Sequence, residues 1–222
     1  MIHEAINLLR QGRIIFIHDS EDRENEVDAV IRADAVNTAT ITWLRKYAGG
    51  LICFVTDEAI GRQLGLGFMS ELLRNAGFNG LVKRPGYGDD PAFSIYVNHV
   101  NTKTGIRDND KALTISRLAD VVKVAVGGEV SRARDLFYRE FYAPGHVPIL
   151  LGRVGRRFGH TELSLILAKM ANIPPALVIT EVLSDDGSAA SVDYVREVAS
   201  RMGSVVVAGH DIINHARELS II

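Results

Sequence analysis

Helix-like and strand-like segments alternate along the whole chain, and this alternation restricts the fold more than any other feature. Ile2, Ala5, Ile6 and Leu9 recur at helical spacing until Gly12 breaks the pattern, and the apolar run Arg13 to Ile17 then reads as a buried strand. Val27, Ala29 and Ile31 alternate with Glu26, Asp28, Val30 and Arg32, the period of a half-buried strand, which sets Glu24, Glu26 and Asp28 on one face. A helix is expected from Asn37, a strand from Leu51 to Val55 and a short helical piece from Asp57. Met69 to Pro91 ends in "KRPGYGDDP", whose turn-forming residues predict a long exposed loop of the kind that often covers a site. A strand over Ala92 to Val97 and a helix over Leu113 to Ala125 follow. After an expected turn at "APGH" come the strand "VPILLG" and a helix from Thr161, with its stripe Leu163, Ile166, Leu167 and Met170, ended by Pro174 and Pro175. The strand "ALVITEV", a helix over Val192 to Met202 with Gly203 as its cap, the strand "SVVVA" and the helix "IINHAREL" complete the chain. With no repeat or linker, one α/β or α+β domain is expected, a mixed sheet flanked by layered helices.

Composition narrows the function. The 222 residues are 47% hydrophobic and 23% charged, so a core forms without disulfide or structural metal. A net charge of −2 and the absence of basic runs argue against a general nucleic-acid partner. No apolar run reaches the roughly 18 residues of a membrane span, and the N-terminus lacks a signal-peptide pattern. The lone Cys53 cannot form an internal disulfide, which suits a reducing cytoplasm.

"HDSEDRENEVDAV", His18 to Val30, crowds six carboxylates around Arg23. Carboxylates sharing one strand face repel unless a cation intervenes, and hard oxygen ligands suit Mg²⁺ or Mn²⁺; a solvated acidic loop is the plainer alternative. In "GRRFGHTEL", Arg157, Gly159, His160 and Thr161 stand at the start of a predicted helix, where free N–H groups and the dipole favour phosphate. Thr161 as a simple N-cap is the competing reading. His146 follows Pro144-Gly145 and has a side chain suited to proton transfer near neutrality, although an isolated histidine is commonly structural. Glu181 lies in an otherwise apolar strand, so it is either paired, metal-bound, held protonated or in contact with solvent at the strand end. Cys53 reads as a core residue, and His3, His18, His99, His210 and His215 as structural or surface residues. "VAVGGEV" is not followed by Gly-Lys-Ser/Thr, and no dinucleotide fingerprint, CxxC or HExxH occurs, so no nucleotide or organic cofactor is expected.

"DSEDRENEVD", Thr104-Gly105-Ile106, "PGHVP", "FGHTE" and "ITEVLSDDG" occur in an order that resembles the 3,4-dihydroxy-2-butanone-4-phosphate synthase family of riboflavin biosynthesis, over nearly the whole chain. The resemblance implies a single synthase domain over residues 1–222, without a GTP cyclohydrolase II domain. It implies conversion of D-ribulose 5-phosphate to L-3,4-dihydroxy-2-butanone 4-phosphate and formate by a cytoplasmic homodimer with sites near the subunit interface, using Mg²⁺ or Mn²⁺, two ions per site. By the family's motifs, Arg23 matches a substrate contact, Glu24 and His160 metal ligands, Asp28 a substrate-contacting carboxylate, and His146 and Glu181 the proton-transfer pair. Glu26 is an additional candidate ligand; Arg157, Gly159, His160 and Thr161 match the sugar-phosphate segment, and Thr104 a phosphate contact. The chain departs from the family pattern in "GIRDNDK" (Gly105 to Lys111), in Phe158 of "RFGH" and in the loop before "AFSIYV". The chemistry implied is an enediolate formed by loss of the C3 proton and stabilised by metal, then a skeletal shift and loss of C4. Another Mg²⁺-dependent sugar-phosphate lyase or isomerase, and a non-catalytic phosphosugar or metal-binding dimer, are the alternatives.

Overall fold

In the computed structural model, which describes residues 1–222, the alternating segments assemble into one seven-stranded mixed sheet with nine α-helices around it. The strands are β1 (Ile15–His18), β2 (Val27–Arg32), β3 (Cys53–Asp57), β4 (Phe93–His99), β5 (Phe141–Gly152), β6 (Leu177–Glu181) and β7 (Val206–Ala208), in the order β4-β5-β3-β6-β2-β1-β7. β3 and β5 run parallel, as do β1 and β7, and the remaining pairs are antiparallel. The helices are α1 (Ile2–Arg10), α2 (Thr38–Trp43), α3 (Glu58–Gln63), α4 (Met69–Asn75), α5 (Asp108–Val126), α6 (Val130–Glu140), α7 (His160–Met170), α8 (Val192–Arg201) and α9 (Gly209–Glu218). None is long and apolar enough to cross a membrane.

Two cores lie on opposite faces of the sheet. One gathers Phe16, Ala29, Phe54, Ile149 and Val178 with residues of α2, α3, α5, α6 and α8; the other gathers Ile17, Val30, Val55, Ile179 and Val207 with α1, α7 and α9. Helices on both faces correct the expectation of a half-buried β2. Every residue from Val27 to Ile31 is buried, Asp28 included at 2% exposure. Nor do three carboxylates share a strand face, because Glu24 and Glu26 precede β2.

Other boundaries move for local reasons. Asn37 accepts the Thr40 N–H and starts α2 as expected, and the helix continues as a π-turn through Leu44–Ala48. β3 begins two residues later than its apolar run and extends to Asp57, which caps α3. Ahead of the expected loop, Met69–Asn75 is helical and Asn79–Leu81 forms a 3-10 turn. α5 starts at Asp108, its first turn carrying Asp108 and Asp110, acids that suit a helix N-terminus. α6 escaped the periodicity reading because it buries only Ala133 and Phe137. "APGH" is no turn: β5 runs through it, with a cis Ala143–Pro144 peptide and a register shift against β4 between Val97 and Asn98. His146 is therefore a strand residue.

Candidate active site

The acidic stretch is ordered by its own first carboxylate. Asp19, 3% exposed, accepts the Glu24 N–H at Oδ2 and the Glu26 N–H at Oδ1, both at 3.1 Å, and pairs with Arg23 Nη1 at 3.0 Å. Asn25 takes a left-handed φ of 55°, tolerable for asparagine, and its side chain meets His18 Nε2 at 2.9 Å. The turn so formed aims Glu24 at the N-terminus of α7.

There His160, the first residue of α7, lies buried between the turn and β2. Its Nε2 faces the Glu26 carbonyl at 3.1 Å, while Nδ1 sits 3.2 Å from Glu24 Oε2 and 3.6 Å from Asp28 Oδ1. A carbonyl partner at Nε2 fixes the proton there and leaves Nδ1 beside the carboxylates, the usual arrangement around a ligating imidazole. Asp28 Oδ1 is buried with no hydrogen-bond partner. Directly across the β2–β6 pair stands Glu181, whose Oε2 accepts the Leu51 N–H at 3.0 Å.

Charge is dense here. Burial, then Glu181, Glu24 and Glu26, push the Asp28 carboxyl up to about 7, against the pull of His160. Burial works against a charged His160, but Asp28, Glu24 and Asp19 outweigh it and raise the imidazole to about 9. Burial also opposes ionisation of Glu24, yet His160, Tyr87 and Arg23 around it hold the carboxyl well below the usual range. Glu26 is raised, by burial first and then by Glu24 and Glu181.

These residues fit a divalent cation: two carboxylates and an imidazole nitrogen converge, one carboxylate oxygen lacks any partner, and the donors suit Mg²⁺ or Mn²⁺. Donor atoms of Asp19, Glu24 and His160 lie within 4.8 Å of one another, but Asp19 already serves two backbone N–H groups and Arg23. Glu26 approaches through its carbonyl, and its side chain is outside that group.

Beside the carboxylates, Gly159 N–H and Arg153 N–H donate to Glu162, which also pairs with Arg157 Nη1 at 2.6 Å. Glu162 is wholly buried, so it holds Arg157 and the entry to α7 as one unit. Gly159 is required by crowding: a Cβ there would lie 2.6 Å from Arg23 Nη2 and 2.7 Å from Arg157 Nη1. Glu24, Asp28, Arg157, His160, Thr161 and Glu181 line one cavity of about 170 Å³, joined by Cys53 and Tyr87. A larger hollow, about 620 Å³ between Tyr47 and Tyr194, has neither histidine nor arginine in its walls.

Thr104 and His146 lie elsewhere. Asp110 accepts the N–H groups of Thr104 and Gly105 at 3.1 and 3.0 Å, pinning that turn to the start of α5. Asn98 packs on Gly105 and holds His146, accepting its N–H at 2.8 Å and meeting Nδ1 at 3.1 Å. His146 is exposed, and neither it nor Thr104 lines the cavity. Asp19, Glu162 and Asn98 went unnoticed in the sequence because each acts through backbone groups distant in pattern or in chain; only Glu162, three residues after Gly159, carries a capping signature.

The family model described as 3,4-dihydroxy-2-butanone 4-phosphate synthase matches residues 3–215. The chain belongs to that family. Membership makes it an enzyme of riboflavin biosynthesis. It is 40% identical to the 3,4-dihydroxy-2-butanone 4-phosphate synthase of Methanosarcina mazei, over 96% of this chain and 89% of that protein. With the synthase of Archaeoglobus fulgidus the identity is 37%, over 97% and 93%. Among solved structures, a 3,4-dihydroxy-2-butanone 4-phosphate synthase in complex with two magnesium ions superposes with a TM-score of 0.78 at 25% identity, covering 98% of this chain and 96% of that one. The mixed sheet with flanking helices agrees with the fold expected from the sequence.

Proposed function

We propose that this family member converts D-ribulose 5-phosphate to L-3,4-dihydroxy-2-butanone 4-phosphate and formate in the cavity between β2, β6 and α7. The observation that carries this reading is the meeting of His160 with Glu24 and Asp28, next to an arginine-bearing helix N-terminus, in a cavity sized for a small phosphosugar. Arg157, Thr161 and the free N–H groups of α7 bind the phosphate, and Arg23 a substrate oxygen. Glu24 and His160 hold Mg²⁺ or Mn²⁺, with Asp28 or Glu26 as further oxygen donors, and the bound ion supplies positive charge against charge developing on the sugar oxygens.

Asp28 and Glu181 face the same space and are the bases at hand for the C3 proton, whose removal gives an enediolate. Asp28 suits a base that must also hold a proton between steps, since burial and the neighbouring carboxylates raise its carboxyl to about 7. Glu181, held at one oxygen by the Leu51 N–H, keeps the other for proton transfer. Skeletal rearrangement and release of C4 as formate complete the reaction. His146 and Thr104 join the site in a homodimer, from the partner subunit; their exposure and their anchoring away from this cavity, His146 on Asn98 and Thr104 on Asp110, support that assignment.

Formate release from ribulose 5-phosphate, with Mg²⁺ and again after EDTA, tests the proposal. Formate formed only with metal is expected. A folded, metal-supplied protein that releases none would leave a phosphosugar binder or an isomerase in its place.

A further inference from the structure

The loop ahead of β4, Lys83 to Pro91, reaches back over the site just described. The ion pair of Arg84 with Asp90, at 3.0 Å, draws its two ends together. Between them, Asp89 Oδ2 sits 2.9 Å from Arg23 Nε and 3.5 Å from Arg157 Nε, and the Tyr87 ring lies 4.7 Å from the Arg23 guanidinium carbon. Both arginines are 11% exposed at the side chain, and Asp89 is 32% exposed.

One carboxylate oxygen thus bridges two guanidinium groups and serves them incompletely. Arg23 Nη1 faces Asp19 and Glu24 and Arg157 Nη1 faces Glu162, while Arg23 Nη2 and Arg157 Nε are buried without a hydrogen-bond partner. Unfilled buried donors are costly, and a group with more acceptor atoms would relieve them. A phosphoryl group has three terminal oxygens and matches the planar fork of arginine better than a single oxygen does.

We propose that Asp89 occupies the anion position between Arg23 and Arg157 as an internal stand-in, and that the substrate's phosphate binds by displacing it. Asp89 is then an affinity-determining residue: its negative charge competes directly with the incoming anion, and its release frees the loop that carries Tyr87. This rests on the reading of Arg23 and Arg157 as substrate-binding groups, and it extends that reading to the loop whose sequence departs from the family pattern.

The test uses inorganic phosphate as the probe. Calorimetry on Asp89→Asn should show phosphate binding tightened by about two- to fivefold, the range for losing a partly exposed competing ion pair, with Asp89→Glu close to the wild type. Separately, trypsin cleavage after Lys83 in the wild-type chain should accelerate when phosphate is added, and should already be fast in Asp89→Asn. Phosphate affinity unchanged or weakened in Asp89→Asn, or slower cleavage of the wild type on adding phosphate, would overturn the proposal and make Asp89 a structural clasp. Neither readout uses formate. A chain that makes none but responds to phosphate in this way loses the lyase reading and keeps the displacement; the reverse result keeps only the lyase.

Discussion

Asp28 and Glu181 stand directly opposite each other in the antiparallel β2–β6 pair, two carboxylates in one registered position with His160 at 3.6 Å from the first. Like charges so placed destabilise a sheet unless one is neutralised. The proton held by Asp28 does this, because its carboxyl is raised from 3.8 to about 7. Between those values the folded chain binds more protons than the unfolded one, so stability falls as pH rises through that window. Asp28→Asn should remove this slope in thermal unfolding with EDTA. A slope that survives the substitution would assign it to another group. The raised imidazole of His160 acts higher, its stability contribution being lost as pH climbs from 6.5 through about 9.

Glu24→Gln and His160→Ala each take away a proposed metal ligand. Both should lower metal-dependent formate release by about a thousandfold or more, the scale of several kcal/mol of lost charge stabilisation. Mg²⁺ at about 100 times its Kd should raise the wild-type Tm by roughly 5–10 °C and leave both variants unmoved. A normal Mg²⁺ response in either variant would sink its role as a ligand.

Glu162→Gln tests the buried support of the anion site. Glutamine keeps the shape but strips the charge from a partner 2.6 Å from Arg157 Nη1, in a position with no solvent exposure. Breaking such a pair costs about 3 kcal/mol, so Tm should drop by roughly 6–12 °C. An unchanged Tm would mean that Arg157 finds another partner.

Gly159→Ala should act on binding more than on folding. The backbone φ of −84° suits alanine, so the damage comes from the new Cβ against the two guanidinium groups. KM for ribulose 5-phosphate should rise about tenfold with Tm nearly unchanged, equivalent to about 1.4 kcal/mol of lost binding. Arg157→Ala should raise KM in the same direction, and wild-type KM in both variants would take this helix end out of the phosphate site.

Mixing His146→Ala with Glu24→Gln asks whether two copies share a site. If His146 works in the partner's cavity, subunit exchange restores roughly a quarter of the wild-type sites, since half the dimers are mixed and each of those has one intact site. No recovery from mixtures shown to have exchanged would place all the catalytic groups in one chain.

The helices and strands themselves were largely legible, because periodicity is a local property: α7 and β6 follow their apolar patterns almost residue for residue. α6 was not, since a helix that buries two residues leaves little pattern to read. "APGH" misled because proline and glycine mark turns, and only pairing with β4 keeps those residues in a strand.

For the site, residue chemistry pointed to Glu24, Asp28, Arg157, His160 and Glu181 and the family resemblance added Arg23, and the fold brings these six side chains around one place. Sequence alone determined which side chains the chain possesses for this chemistry and the short elements that carry them. Tertiary structure decided their environment. It covered both faces of β2 and so buried Asp28, brought Asp89 onto Arg23 from 66 residues away, and set Thr104 on Asp110 and His146 on Asn98, apart from the cavity. Burial, charge coupling and the filling of hydrogen bonds depend on what packs against a residue, and packing partners distant in the chain leave no periodic trace in it.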